Sequence, residues 1–367
     1  MYVVRPISNG HFKLLYKNHI TLKTHKNENP KTIYINCCNS NCNYRYAQKV
    51  ALHSNGTVQH FEGASAFIDA YNTSASGDTI YLPGGSFNPP AEFTKTLSII
   101  GAGHYADSSV VTGKTFINGN IVLRDTADYC LFEGVHITGT FSTANNEAVD
   151  YLTVKSSSIG GTISFQGDLS KPSKNISFIR CVVRHCNLEN AQNVYFANSV
   201  ISNSCINNSS GNLFENNIIM YEPAYSTFVF FNGGNNIIKN NIIVTGGAYS
   251  SHISNAIGNT FYNNLFNVSN PSLGTNAVAS GNYPGVATNS IFVNQTGVTF
   301  NYSHDYHLKQ PEVWIGTDNT QIGIYGGTFT YKEGAIPSNP HFQEENIAPT
   351  ATGGQLNVQI KAAAQDN

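Results

Sequence analysis

Phe196-Ala197-Asn198-Ser199, Phe214-Glu215-Asn216-Asn217, Ile238-Lys239-Asn240-Asn241 and Phe261-Tyr262-Asn263-Asn264 repeat one short pattern: an apolar residue, any residue, a turn-former, then a small or polar residue. Working backwards, the same pattern appears in Phe178-Ile179-Arg180-Cys181, Val154-Lys155-Ser156-Ser157 and Phe132-Glu133-Gly134-Val135. The apolar anchors lie 22, 24, 18, 18, 24 and 23 residues apart. Strands of about five residues joined by short turns need about 20 residues for three sides of one coil. Loops of differing length at one corner account for the scatter. A single coil cannot bury its own apolar side chains, but coils stacked about 4.8 Å apart share one core and pair through parallel ladders. The fold class is therefore all-β, a right-handed parallel β-helix running from about Ser65 to Gly327.

The third position carries separate information. Gly134, Ser156, Asn198, Asn216, Asn240 and Asn263 are residues that favour turns or tolerate a left-handed backbone, and Arg180 alone breaks the rule. Stacked asparagines can also hydrogen-bond from coil to coil. Most of the Asn enrichment, the Asn175-Ile176-Ser177 and Asn267-Val268-Ser269 sequons included, thus belongs to the scaffold.

Upstream, Ala66, Phe67, Ala70 and Tyr71 lie on one helical face, and Gly77-Asp78-Thr79-Ile80-Tyr81-Leu82-Pro83-Gly84-Gly85 reads as a turn, a strand and a stop. A short capping helix followed by a first coil would protect the end of a solenoid. A β-propeller needs repeats near 40–50 residues and a leucine-rich repeat needs regular leucines. The chain has neither.

Composition agrees. Charged residues are 11% of the chain, against roughly 25% in an average domain, which suits a surface of Asn, Ser and Thr. The net charge of −2 hides a split: residues 1–50 hold eight Lys/Arg and only Glu28, leaving 12 bases and 21 acids beyond them, a net of −9. A body at −9 is a poor partner for nucleic acid or anionic membranes. No stretch is long and apolar enough to cross a bilayer. Tyr46-Ala47-Gln48-Lys49 leading into Val50-Ala51-Leu52 is similar to the junction after a cleaved export signal, although no apolar signal core precedes it. Cys37, Cys38 and Cys42 have no second ligand pair behind them, so no metal or cofactor is expected. Cys130, Cys181, Cys186 and Cys205 read as small buried residues.

Three stretches resemble the pectin-lyase-like right-handed β-helix superfamily, in particular exported β-helix repeat proteins of Bacteroidetes-type bacteria. They are Ala66–Ala70 with Gly77–Gly85, the Asn-Asn coils, and Asp305-Tyr306-His307-Leu308-Lys309 with Ile315-Gly316-Thr317-Asp318 and Ile322–Gly327. The resemblance implies an extracellular or cell-surface monomer whose partner is a polysaccharide. It does not imply an activity. Three segments follow: a basic N-terminal segment at 1–50, the β-helix at 51–327, and a linker with a tail strand at 328–367. In that tail Leu356, Val358 and Ile360 alternate onto one face.

The chemistry is sparse. Gly103-His104-Tyr105 has no adjacent acid pair, and no coil supplies converging carboxylates for calcium. Arg180, Arg184 and His185, with Glu189, form the best catalytic cluster, since a lyase needs a cation to neutralise a uronate and a base to take its α-proton. Tyr221 and Tyr225, in the long insert after Phe214, are the candidates for stacking on sugar from exposed positions. Phe228 and Phe230 are expected to point inward. The expected function is glycan binding or adhesion without catalysis, and the alternative is a lyase or hydrolase acting on an acidic polysaccharide.

Overall fold

The computed structural model describes residues 5–7, 11–13, 49–105, 113–202, 206–208, 210–221, 230–246, 253–332, 341–348 and 350–363. The chain forms two compact units, Met1–Arg45 and Tyr46–Asn367. In the first, Arg5–Ile7 pairs antiparallel with His11–Lys13. Cys37, Cys38, Cys42 and Cys205 lie outside the described residues.

The second unit is a parallel β-solenoid of about eight turns, wound right-handed. Among the described residues, its coils build three long sheets of twelve, nine and seven strands, and two antiparallel strand pairs follow towards the C-terminus. Each coil contributes one strand to each sheet in turn, so Leu131–Glu133, His136–Ile137 and Phe141–Thr143 make up one coil. The register is the one the anchors predict. Ile80, Ile99, Phe132, Val154, Phe178, Phe196, Phe214, Ile238 and Phe261 stand in one column, and none has any exposed surface. Phe178, Phe196 and Phe214 stack face to face, with centroids 4.7 and 5.4 Å apart. Each such ring contributes about 1.5–3 kcal/mol by leaving water.

The turn column behaves as its composition requires. Gly134, Ser156, Arg180, Asn198, Asn216, Asn240 and Asn263 all have φ between 43° and 70°. Arg180 therefore keeps the register. The next position along forms a buried ladder. The Asn217, Asn241 and Asn264 side-chain amides each donate to the Oδ1 of the following asparagine at 3.0, 3.0 and 3.1 Å, ending on Asn282. Each of these Oδ1 atoms also accepts a main-chain N–H from the preceding coil. Ser199 and Ser157 do the same for Cys181 and Val135. The side-chain amides that this corner buries at Asn217, Asn241 and Asn264 are thereby paired.

An eight-residue helix at Ala66–Thr73 buries Ala66, Phe67, Ala70 and Tyr71, the residues whose spacing predicts it. A hairpin of Lys49–Ser54 and Thr57–Glu62 pairs antiparallel with the first coil's strand, Thr79–Tyr81. This hairpin is not legible as a strand pair in the repeat pattern, and it places Lys49 and Val50 with the solenoid rather than with a segment ending at residue 50.

The other departure lies at the C-terminal end. On the nine-stranded sheet the outward column runs Val182, Val200, Ile218, Ile242, Leu265. These aliphatic residues are buried because the chain turns back and covers them with Ile291, Phe292, Trp314, Ile322, Ile324 and Tyr331. The covering segment is tied to the turn column. Asn198 donates to the Ile324 and Gly326 carbonyls at 2.9 and 2.6 Å, Asn263 donates to Ile315 O at 2.8 Å, and Asn240 Oδ1 accepts the Thr317 N–H at 2.8 Å. Gly326 fits because a Cβ there would run into the Gln321 carbonyl and meet Asn216 Nδ2 at 2.7 Å. Tyr331, 4% exposed, still belongs to this second core, so the packed region continues past residue 327. The tail strand Val358–Ala363 pairs with His341–Ile347 of its own chain, leaving Leu356, Val358 and Ile360 about half exposed. The expected linker at 336–340 lies outside the described residues.

Candidate functional site

The structure sets Arg184 beside His185 and places Arg180 at the other end of a two-residue strand. Arg180 occupies the corner before the strand Val182–Val183, and Arg184 and His185 occupy the corner after it. Arg180 is half-buried, and its Nε donates to Phe329 O at 3.3 Å, so it grips the covering segment as Asn198 does. Burial lowers its pKa, with Glu133 opposing. His185 is half-buried and its pKa is lowered, by burial first and then by Arg184. Glu189 is exposed beyond the next strand.

The expectation that Tyr221 is exposed is overturned. It is 1% exposed. The strand Ile218–Tyr221 runs to the tyrosine and pairs through Tyr221 with Thr245. Alternation then turns Ile219 and Tyr221 into the main core, while Ile218 and Met220 face the covering segment. Tyr225 and Phe228 lie outside the described residues. Phe230 stands opposite Ile206 and Ile253 in the seven-stranded sheet.

His104 is also fully buried and serves the fold. Its Nδ1 and the Tyr302 hydroxyl are 3.0 Å apart, and the hydroxyls of Tyr105 and Tyr331 are 2.7 Å apart. These contacts pin an early coil to the covering segment. Burial, reinforced by His136 and Lys114, pushes the His104 pKa down to about 3. The pKa values of His136 and His185 are lowered too. A histidine held neutral in the folded state while the unfolded chain binds a proton costs stability below its ordinary pKa of about 6.5. Urea stability is therefore expected to fall between pH 7 and pH 5, with His104 contributing at most about 1.4 kcal/mol per pH unit. His104→Phe should flatten the slope, and stability that rises over this range would contradict the assignment.

A different place breaks the structural rules. At the corner entering the twelve-stranded sheet, Tyr129, Tyr151, Asn175, Asn193, Gly211, Asn235, Gly258 and Asn276 all have φ between 54° and 72°. The register is direct: Tyr129 N–H donates to Asp150 O and Tyr151 N–H donates to Lys174 O, both at 2.9 Å. Six of these coils use Asn or Gly, and two use tyrosine. The left-handed region costs a residue with a Cβ about 1–2 kcal/mol, whereas Gly and Asn enter it routinely. Tyr129 and Tyr151 are 62% and 49% exposed, so neither is anchored in the core. Their rings stack at 4.7 Å with planes 7° apart. Such a pair returns only about 0.5–1.5 kcal/mol. Two strained residues joined by one modest contact leave a deficit that folding does not explain.

Each tyrosine follows an aspartate. Asp128 Oδ1 accepts the Asp150 N–H at 2.7 Å, and Asp150 Oδ1 accepts the Lys174 N–H at 2.8 Å. Elsewhere in that column stand Lys174, Gln192, Ser210, Gly234, Ile257 and Thr275. The sequence does carry the signal: Asp-Tyr occurs at 128–129 and again at 150–151, separated by the same 22 residues as the anchors Phe132 and Val154. Reading for aromatic density in one insert misses a dipeptide repeated in register. Among the described residues, no group of three or more His, Cys, Asp or Glu is placed to hold a metal ion. No protein-family model matches the chain, and no curated protein matches it.

Proposed function

We propose that this chain is a secreted or cell-surface protein that binds glycan, adhesive rather than catalytic. The observation that supports it is the Tyr129–Tyr151 stack, exposed and held in backbone that asparagine fits better. Aromatic rings presented by a rigid β-scaffold suit the apolar faces of sugar rings, and rigidity lowers the ordering cost of binding. The resemblance to the pectin-lyase-like superfamily, and to exported bacterial β-helix proteins within it, belongs to this proposal. So do a monomeric state and an end-cap role for the helix Ala66–Thr73. A panel of immobilised neutral, amino and acidic glycans, probed with wild type and with Tyr129→Asn/Tyr151→Asn, tests the reading. Wild type should bind at least one glycan class, and the variant should bind it at least about tenfold more weakly. Unchanged binding by the variant would remove the tyrosines from the site. Turnover of an acidic glycan would replace the reading with a lyase or hydrolase.

A further inference from the structure

The two coils that carry tyrosine are also the two whose preceding residue is a carboxylate. Main-chain pairing requires no charge there. One oxygen of each carboxylate accepts a main-chain N–H, and neutral asparagines do that work elsewhere: Asn212 Oδ1 accepts the Val194 N–H at 2.8 Å and Asn236 Oδ1 accepts the Asn212 N–H at 3.0 Å. The coils beyond place Lys174, Gln192, Ser210, Gly234, Ile257 and Thr275 in that column, none of them a carboxylate. Ring and charge therefore change together in adjacent coils, one coil spacing apart, on a body whose net charge is −9. Tyr129, the more exposed of the pair, ends the stack, and the next coil along the carboxylate column presents Lys174. In the preceding coil Lys95 stands level with Asp128, but its Nζ is turned to the Tyr71 and Ser74 carbonyls, each at 2.7 Å.

We infer that Asp128-Tyr129 and Asp150-Tyr151 form a subsite for a cationic sugar, a hexosamine with a free ammonium group. The sugar ring continues the tyrosine stack, and the ammonium sits against the Asp128 and Asp150 carboxylates, where the aromatic faces also favour a cation. A uronate at the same place meets like charge. This inference rests on the glycan-binding reading and specifies its ligand.

Calorimetric titration of the full chain with short β-linked oligomers of glucosamine, of N-acetylglucosamine and of galacturonate tests it. The glucosamine oligomer should bind about tenfold tighter than its N-acetylated counterpart, the advantage of a charge-assisted contact, and added salt should shrink that ratio. Asp128→Asn/Asp150→Asn keeps the oxygen that accepts each main-chain N–H. It should bring the ratio to about one by weakening the glucosamine oligomer, with the unfolding midpoint in place. Tyr129→Asn/Tyr151→Asn should abolish binding of both amino-sugar oligomers. A wild-type ratio near one, a ratio insensitive to the Asp→Asn pair, or preference for galacturonate would overturn the cationic-sugar inference while leaving tyrosine-dependent glycan binding standing. If none of the three oligomers binds and the wider glycan panel is also silent, both statements fail together.

Discussion

Asn241→Leu is expected to destabilise the solenoid by about 5 kcal/mol or more, enough to consume much of a domain's usual 5–15 kcal/mol. Leucine matches asparagine closely in shape, so the loss measures polarity rather than volume. Asn241 Nδ2 donates to Phe214 O, Lys239 O and Asn264 Oδ1 at 2.9, 2.9 and 3.0 Å. Its Oδ1 accepts the main-chain N–H and the side-chain amide of Asn217 at 2.8 and 3.0 Å. All three asparagines are completely buried, so the groups stripped of partners cannot turn to water. Each such group costs about 1–3 kcal/mol. Asn255→Gly is the matched control. Asn255 is exposed, donates to Asn232 Oδ1 at 3.1 Å, and has a φ of 53° that glycine accepts. That change should cost less than about 1 kcal/mol. Urea unfolding of both variants decides the matter; a loss under about 1 kcal/mol for Asn241→Leu would show that the ladder is not what closes the coil corners.

Ile242→Lys is expected to release the covering segment while leaving the coils wound. Ile242 is 1% exposed on the outer face of the nine-stranded sheet, under Gly323. It faces the covering segment rather than the main core. An ammonium buried among these apolar side chains costs several kcal/mol unless the segment lifts away. The tethers from Asn198, Asn240, Asn263, Arg180, His104 and Tyr105 are hydrogen bonds that water can replace once the segment lifts, whereas a buried charge has no such replacement. Limited proteolysis should then cut within residues 288–331, with far-UV circular dichroism unchanged. Loss of the β spectrum along with the cuts would mean that segment and solenoid fold as one cooperative unit.

How much of this was legible from the sequence depended on whether a residue's role repeats. The anchor column and, from Phe132 to Phe261, the left-handed column recur coil after coil, so spacing and composition alone locate them, and Arg180 keeps its place despite breaking the composition rule. The covering segment does not repeat. Nothing in Val200, Ile218 or Ile242 marks them as outward-facing, because a strand buried on both faces reads as a continuous apolar run. The same ambiguity hid Tyr221: one more residue of strand carried it from the expected exposed loop into the core. The candidate site was half legible. Asp128-Tyr129 and Asp150-Tyr151 stand one repeat apart in the sequence, yet only the backbone angles show that tyrosine occupies a position where asparagine is the easier residue.

The unfolding free energy of Tyr129→Asn/Tyr151→Asn decides whether these tyrosines serve a ligand or the fold. The double variant should be about 1–2 kcal/mol more stable than wild type, because relief of two left-handed tyrosines outweighs one lost stack. A double variant less stable than wild type would contradict it, since the tyrosines would then be serving the fold rather than a ligand.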